Sequence, residues 1–249
     1  MPDEPIRVLI LGGTGEAREL ARSLSSDPRY FPVTSLAGLT REPEMIAGET
    51  RTGGFGGVKG LAQFIAEQDI DVVVDGAHPF AAQISTNAVE ACASSGVPCL
   101  RLERPRWEAQ GGDEWTVVDD VGAAAFAIPP EAHAFVTVGR QEIGTFFSRD
   151  DISLLARMIE RPNVTIPGNA EIMLARPPFT VEQEKTLMLA RGISLLVTKN
   201  AGGEATYAKV EAARRLNLPV IMIARPKKPP ALTVSSSEEM LSLIGETIG

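Results

Sequence analysis

The chain has 249 residues, 44% of them hydrophobic, and carries 24 lysines and arginines against 32 aspartates and glutamates, for a net charge of −8. That length accommodates one large or two small domains with a real core, and the acidic balance argues against a nucleic-acid partner, which needs a basic surface to neutralise phosphate. Two cysteines, Cys92 and Cys99, and two histidines, His78 and His133, are too few and too scattered for a zinc site, so no metal is expected and both thiols read as core residues of a reducing compartment.

The first five residues form an acidic leader that runs straight into Ile6-Arg7-Val8-Leu9-Ile10-Leu11. This is not the basic-then-apolar pattern of a signal peptide. No apolar run approaches the ~20 residues that span a bilayer. A soluble, cytoplasmic protein with no membrane partner is expected.

Residues 6–11 read as a buried strand. Residues 16–25 read as a helix, with Ala17, Leu20, Ala21 and Leu24 at helical spacing. Between them stands Gly12-Gly13-Thr14-Gly15-Glu16. Glycines at such a turn let the backbone approach a pyrophosphate, and the helix N-terminus offers free N–H groups and partial positive charge. The last glycine of the usual G-x-G-x-x-G is absent, Arg18 standing in its place, so a tight turn without a ligand is the competing reading. Residues 33–36 form the second strand, whose end continues as Ser35-Leu36-Ala37-Gly38-Leu39-Thr40-Arg41. NAD enzymes carry an acidic residue there. This chain has none, and Ser35, Thr40 and Arg41 suit a 2′-phosphate, which favours NADP. Arg51-Thr52-Gly53-Gly54-Phe55-Gly56-Gly57 then reads as a mobile flap with Phe55 as its apolar cover, or as a permissive turn.

A helix over 58–68, a strand over 72–75, a helix over 80–94 and a strand over 98–102 follow. Gly76-Ala77-His78-Pro79 leaves the 72–75 strand at the C-terminal edge of the sheet, where ligands of such folds bind. His78 is the candidate proton donor or cofactor-orienting group there, against a purely structural role. The second half offers strands over 135–138, 153–157 and 164–166 and a short helix over 169–175 capped by Asn169. Thr180 and Gln183 form a capping box for a helix through 190. A strand over 195–198, a helix over 204–216, a strand over 220–223 and a C-terminal helix opened by Ser236 and Glu239 complete the chain. Strand–helix alternation of this kind implies βαβ units and parallel sheets.

The halves repeat one another. Val89-Glu90-Ala91 is matched by Val210-Glu211-Ala212, and at the same offset 97–105, ending Arg104-Pro105, is matched by 218–226, ending Arg225-Pro226. A duplication with a boundary near 122–134 follows, giving domains 1–121 and 122–249. Each half ends in a short strand, 115–118 or 231–234. The two are alike enough to be exchanged between sheets. Arg104, Arg140, Arg157, Lys199 and Arg225 stand near strand ends, with Lys199-Asn200-Ala201-Gly202-Gly203 leaving one of them. Cations at such positions suit carboxylates, and several together suit a polyanionic substrate.

These segments together resemble the precorrin-6A reductase family of cobalamin biosynthesis, over nearly the whole chain. The carriers are Leu11-Gly12-Gly13-Thr14-Gly15-Glu16-Ala17, Gly53-Gly54-Phe55-Gly56-Gly57, and His78-Pro79-Phe80-Ala81-Ala82-Gln83-Ile84-Ser85. Glu103-Arg104-Pro105 with Trp107, Pro178-Phe179-Thr180 and Lys199-Asn200-Ala201-Gly202-Gly203 complete the set. The resemblance implies an α/β protein of two Rossmann-like parallel-sheet domains. It implies hydride transfer from NADPH to a macrocyclic tetrapyrrole rich in carboxylates, with passing contact to neighbouring pathway enzymes.

On that basis Gly12, Gly13, Thr14, Gly15, Glu16, Ser35, Ala37, Gly38, Thr40, Arg41 and Gly76, Ala77, His78, Pro79 are expected at the cofactor. Phe55, Arg104, Arg140, Arg157, Lys199, Asn200, Gly202, Gly203 and Arg225 are expected at the substrate, with the first half holding NADPH and the second the tetrapyrrole. The family often has Arg directly after the Ala-Gly pair, where this chain has Leu39, which shifts 2′-phosphate recognition to Ser35, Thr40 or Arg41. It often reads Ala-Thr-His-Pro where this chain has Gly76-Ala77-His78-Pro79. The alternatives are a cobalt-containing form of the substrate, another NADP-dependent reductase of a small acidic molecule, and a non-catalytic nucleotide-sensing module.

Overall fold

The computed structural model describes residues 4–37 and 46–248. In chain order the elements are β1 (Ile6–Leu11), α1 (Gly15–Ser25), β2 (Tyr30–Leu36), β3 (Glu49–Thr52), α2 (Val58–Glu67), β4 (Val72–Asp75), α3 (Ala82–Ser95), β5 (Cys99–Leu102), β6 (Trp115–Val118) and α4 (Val121–Ala127). There follow β7 (His133–Thr137), a 3-10 turn at Ile143–Ser148, β8 (Ser153–Met158), β9 (Ala170–Leu174), α5 (Val181–Ala190), β10 (Leu195–Lys199), α6 (Ala208–Arg215), β11 (Val220–Ile223), β12 (Leu232–Val234) and α7 (Ser237–Ile248).

Two six-stranded sheets result, ordered β12-β5-β4-β1-β2-β3 and β6-β11-β10-β7-β8-β9, with every strand pair parallel. The first sheet starts in its middle and reverses direction between β1 and β4, while the second enters at its edge with β6 and reverses between β7 and β10, and such a reversal opens a crevice at the C-terminal strand ends. Helices cover both faces, so the central strands read as continuous apolar runs. In β1, Val8, Leu9, Ile10 and Leu11 are all buried. Alternation sorts them: Val8 and Ile10 face Leu20 and Leu24 of α1 and Met240 and Ile244 of α7. Leu9 and Leu11 face Leu61 and Ile65 of α2 and Ala88 and Ala91 of α3. In the second sheet Phe135, Leu155, Leu196 and Met222 pack with Met188, Val210, Ala213 and Trp107.

The exchange of last strands is realised. β6, from the first half of the sequence, pairs with β11, and β12 pairs with β5. The compact units are therefore 1–105 with 227–249, and 106–226. The division falls immediately after Arg104-Pro105 and Arg225-Pro226, not at 121/122, because 115–118 belongs by its hydrogen bonds to the second sheet. The repeated segments occupy equivalent places: α3 leads into β5 in one sheet and α6 into β11 in the other, each next to the edge strand.

Both capping boxes form, the Thr180 hydroxyl accepting from Gln183 N and the Ser236 hydroxyl from Glu239 N. Two local expectations are corrected. Residues 169–175 hold the edge strand β9, not a helix, since pairing with all but the first residue of β8 outweighs the local helical preference of Ala170 to Leu174. Residues 164–166 are irregular, and β3 and α4 were not foreseen. No helix among the described residues is long and apolar enough to cross a membrane.

Candidate functional site

In the first unit, the turn after β1 is held by its neighbours on both sides. Gly12 N–H donates to Ser35 O at 2.9 Å, and its φ of +105° is a conformation L side chains rarely adopt. A Cβ on Gly12 would lie 2.6 Å from Ala77 Cα, and one on Gly13 would lie 2.8 Å from Leu36 Cδ2. Thr14 caps α1, its Oγ1 accepting from Ala17 N at 3.2 Å and donating to Gly76 O at 2.9 Å. The turn, the end of β2 and the loop after β4 are thus fastened together.

Gly15 behaves differently. A Cβ there would meet nothing within 4 Å, and its φ needs no glycine. The packing around Gly15 therefore leaves the helix N-terminus open to an approaching group. First-turn N–H groups have no intrahelical partner, and those of Gly15 and Glu16 are left for such a group once Thr14 has taken that of Ala17. The chemistry of this turn fits a pyrophosphate. Glu16 pairs with Arg104 at 3.0 Å, which removes its charge from the argument against an anion at this end of the helix.

The loop after β4 is set from beneath. Asp75, fully buried, accepts from Arg101 Nε at 2.9 Å and from Ala77 N at 3.3 Å. Arg101 also donates to Pro229 O at 2.9 Å. This buried pair was not singled out in the sequence. Gly76, Ala77 and Pro79 are buried and His78 is exposed. Phe80 N–H donates to His78 Nδ1 at 3.2 Å, so the neutral imidazole carries its proton on Nε2.

At the end of β2, Ser35 is buried and Ala37 exposed. Gly38, Thr40 and Arg41 lie outside the described residues. The Ser35 hydroxyl accepts from Arg51 Nη1 at 2.7 Å. Arg51, on β3, also donates to Gly53 O and Gly54 O and lies 3.9 Å over the Phe55 ring. Phe55 is half-buried and edge-on to Phe64 of α2. The glycine-rich segment is seated on α2, where a Cβ at Gly60 would collide with Phe55 O.

In the second unit the strand-end cations are matched internally. Arg140 pairs with Glu160 at 2.7 Å, and Lys199 pairs with Glu142. Arg157 is in the interior, bidentate to buried Glu184 and 3.8 Å over the Phe179 ring. Arg225 donates to the carbonyls of Asn200 and Ala201. The Asn200 side chain accepts from Trp107 N at 2.7 Å and donates to Trp107 O at 2.9 Å, and Trp107 Nε1 donates to Gly203 O. Gly202 and Gly203 take positive φ, +70° and +71°. Asn200, Gly202, Gly203 and Arg225 therefore build the loop after β10, while Arg140 and Lys199 stand at the C-terminal ends of the adjacent strands β7 and β10. Among the described residues no cluster of three or more His, Cys, Asp or Glu could hold a metal ion.

A family model described as precorrin-6x reductase CbiJ/CobK matches residues 7–245. A precorrin-6A reductase of Rhodococcus erythropolis is 45% identical over 226 residues, covering 90% of this chain and 91% of that one. A precorrin-6A reductase of a Sinorhizobium species is 44% identical over 244 residues, covering 97% and 93%. A solved structure of CobK precorrin-6A reductase superposes with a TM-score of 0.91 at 40% identity, covering 97% of this chain and 96% of that one.

Proposed function

The chain belongs to the precorrin-6x reductase CbiJ/CobK family, and from that premise we propose that it is an oxidoreductase that reduces precorrin-6A with NADPH as hydride source. The observation that carries the cofactor half of this reading is the contrast within one turn: Gly12 is demanded by the fold, Gly15 is not. The chemistry NADPH supplies when bound is hydride donation to an acceptor carbon of the macrocycle.

The chain's own groups do the rest. The turn 12–15 and the first N–H groups of α1 receive the pyrophosphate. Ser35 faces the adenosine end, where the missing carboxylate favours the 2′-phosphate. The loop 76–79, levelled by Asp75 and Arg101, orients the nicotinamide end. His78, after taking up a proton from solvent to form the imidazolium, is the group to protonate the carbon next to the one that receives hydride. In the second unit Arg140 and Lys199 are the cations for the carboxylate side chains, exchanging Glu160 and Glu142 for substrate. Arg225 and Asn200 support that edge through backbone contacts, and Arg157 through the core. The cobalt-free macrocycle is the preferred acceptor, since the relatives at 44–45% identity carry that name. Two free thiols accord with a cytoplasmic site of action.

The test mixes the purified chain with precorrin-6A and either NADPH or NADH and follows loss of the reduced nicotinamide. Consumption of NADPH that depends on precorrin-6A supports the reading. No consumption with either nicotinamide overturns it, and faster consumption of NADH overturns the choice of cofactor.

A further inference from the structure

Arg51 is a cation near the C-terminal end of β3. Among the described residues its guanidinium is held by neutral groups: the Ser35 hydroxyl, the carbonyls of Gly53 and Gly54, and the rings of Phe55 and Phe64. Among the described residues no carboxylate pairs with it. Arg101, Arg104 and Arg140, also near strand ends, do have carboxylate partners, in Asp75, Glu16 and Glu160. Partial burial also pushes the Arg51 pKa down, as expected for a cation desolvated without a counter-ion. In a chain of net charge −8, a half-buried cation oriented by neutral groups is built for an anion from outside.

Its place says which anion. Ser35 O accepts from Gly12 N at 2.9 Å, and Leu36 O accepts from Gly53 N at 2.8 Å. The last two residues of β2 are thus gripped on one side by the glycine turn and on the other by the segment that carries Arg51. The C-terminal end of the second strand is where a dinucleotide fold meets the adenosine ribose, and an arginine nearby accommodates a 2′-phosphate. A guanidinium has five N–H donors. Those on Nη1 go to Ser35 and Gly53 and one on Nη2 goes to Gly54, which leaves the Nε–H and the second Nη2 proton for a phosphate.

We propose that Arg51, pre-oriented by Ser35, is the residue that selects NADPH over NADH by binding the phosphomonoester on the adenosine ribose. This rests on the NADPH reading above and adds a residue that sequence spacing hides. Strand β3 is short and has no apolar run, and its parallel register places Arg51 directly beside Ser35.

The experiment is calorimetric titration of NADP+ and of NAD+, which bind without turnover, into the parent chain and into Arg51→Gln, Arg51→Ala and Arg51→Lys, with 2′-AMP as a minimal probe. Arg51→Gln keeps a donor for Gly53 O, and thermal melting confirms that each variant is folded. The expected result is a loss of about tenfold or more in affinity for NADP+ and 2′-AMP in the Gln and Ala variants, partial rescue by Lys, and NAD+ affinity within about twofold of the parent. Parallel weakening of NADP+ and NAD+ would make Arg51 a pin for the 53–57 loop and overturn the assignment, as would NADP+ affinity unchanged. A parent that binds the two cofactors equally overturns the cofactor reading itself, and the assignment with it, before any variant is made.

Discussion

Gly12 and Gly15, three residues apart, are expected to fail in opposite ways. Gly12→Ala places a Cβ 2.6 Å from Ala77 Cα and 2.8 Å from Gly76 O, both backbone atoms that cannot swing aside as a side chain would. The strained φ costs about 1–3 kcal/mol, and forcing an extra methyl into packed surroundings costs about 1–3 kcal/mol more. At about 2–4 °C per kcal/mol for a chain of this size, the melting temperature should fall by roughly 4–24 °C. Gly15→Val adds a larger side chain into open space, and glycine and valine differ in helix propensity by less than about 1 kcal/mol. Its melting temperature should move by no more than about 4 °C. Its affinity for NADP+ should nevertheless collapse, because the isopropyl group occupies the approach to the α1 N–H groups. Differential scanning calorimetry and NADP+ titration on both variants give the comparison. A stable Gly15→Val variant with parental NADP+ affinity would show that nothing approaches this helix end, and the pyrophosphate assignment would be wrong.

Three further outcomes are expected. Glu184→Ala strands the buried Arg157 guanidinium, so urea denaturation should report a loss of about 3–5 kcal/mol, and a loss below 1 kcal/mol would place the pair in solvent. Arg140→Ala and Lys199→Ala should each weaken the tetrapyrrole by about tenfold in calorimetry while leaving NADP+ unchanged; parental affinity in both would move the carboxylate contacts elsewhere. The carboxyl of Glu239 is held below its ordinary value, first by the Ser235 N–H and then by the Ser235 hydroxyl and the Ser236 N–H. A depressed folded pKa means stability present above the unfolded value of 4.5 and lost as acid takes pH through the folded one. Glu239→Gln should therefore flatten the acid limb of the melting-temperature profile, and an unchanged slope would assign that limb to other carboxylates.

Much of this architecture was legible because parallel strands buried on both faces write themselves as apolar runs: Val8 to Leu11, Val72 to Val74, Leu195 to Val197. Edge strands do not. Ala170 to Leu174 alternates poorly and carries good helix formers, so only its partner β8 decides its state. Glu49-Thr50-Arg51-Thr52 has no apolar signal at all, and with β3 hidden the meeting of Arg51 and Ser35 was hidden too. The glycine turn and the loop after β4 were readable because they sit directly behind strong strands. The carboxylates opposite the basic residues were not, since Glu142, Glu160 and Glu184 reach their partners only through tertiary pairing. Trp115-Thr116-Val117-Val118 and Leu232-Thr233-Val234 are too alike for local sequence to say which sheet each closes.

The exchanged strands also fix an order of events during synthesis. Residues 106–226 are continuous, so the second unit is complete once β11 has emerged. The first unit must wait for β12 and for α7, whose Met240 and Ile244 seal the face that Leu20 and Leu24 present. Until then β5 is an open edge with bare N–H and C=O groups, and the first strand to become available beside it is β6, its near-copy. A nascent chain that lets β6 settle there would close the wrong sheet and leave β11 bare in turn. The later Pro226 crossing is thus the step on which correct assembly of the first unit depends, and a newly made chain passes through a state in which one half is finished while the other is still waiting for its last strand.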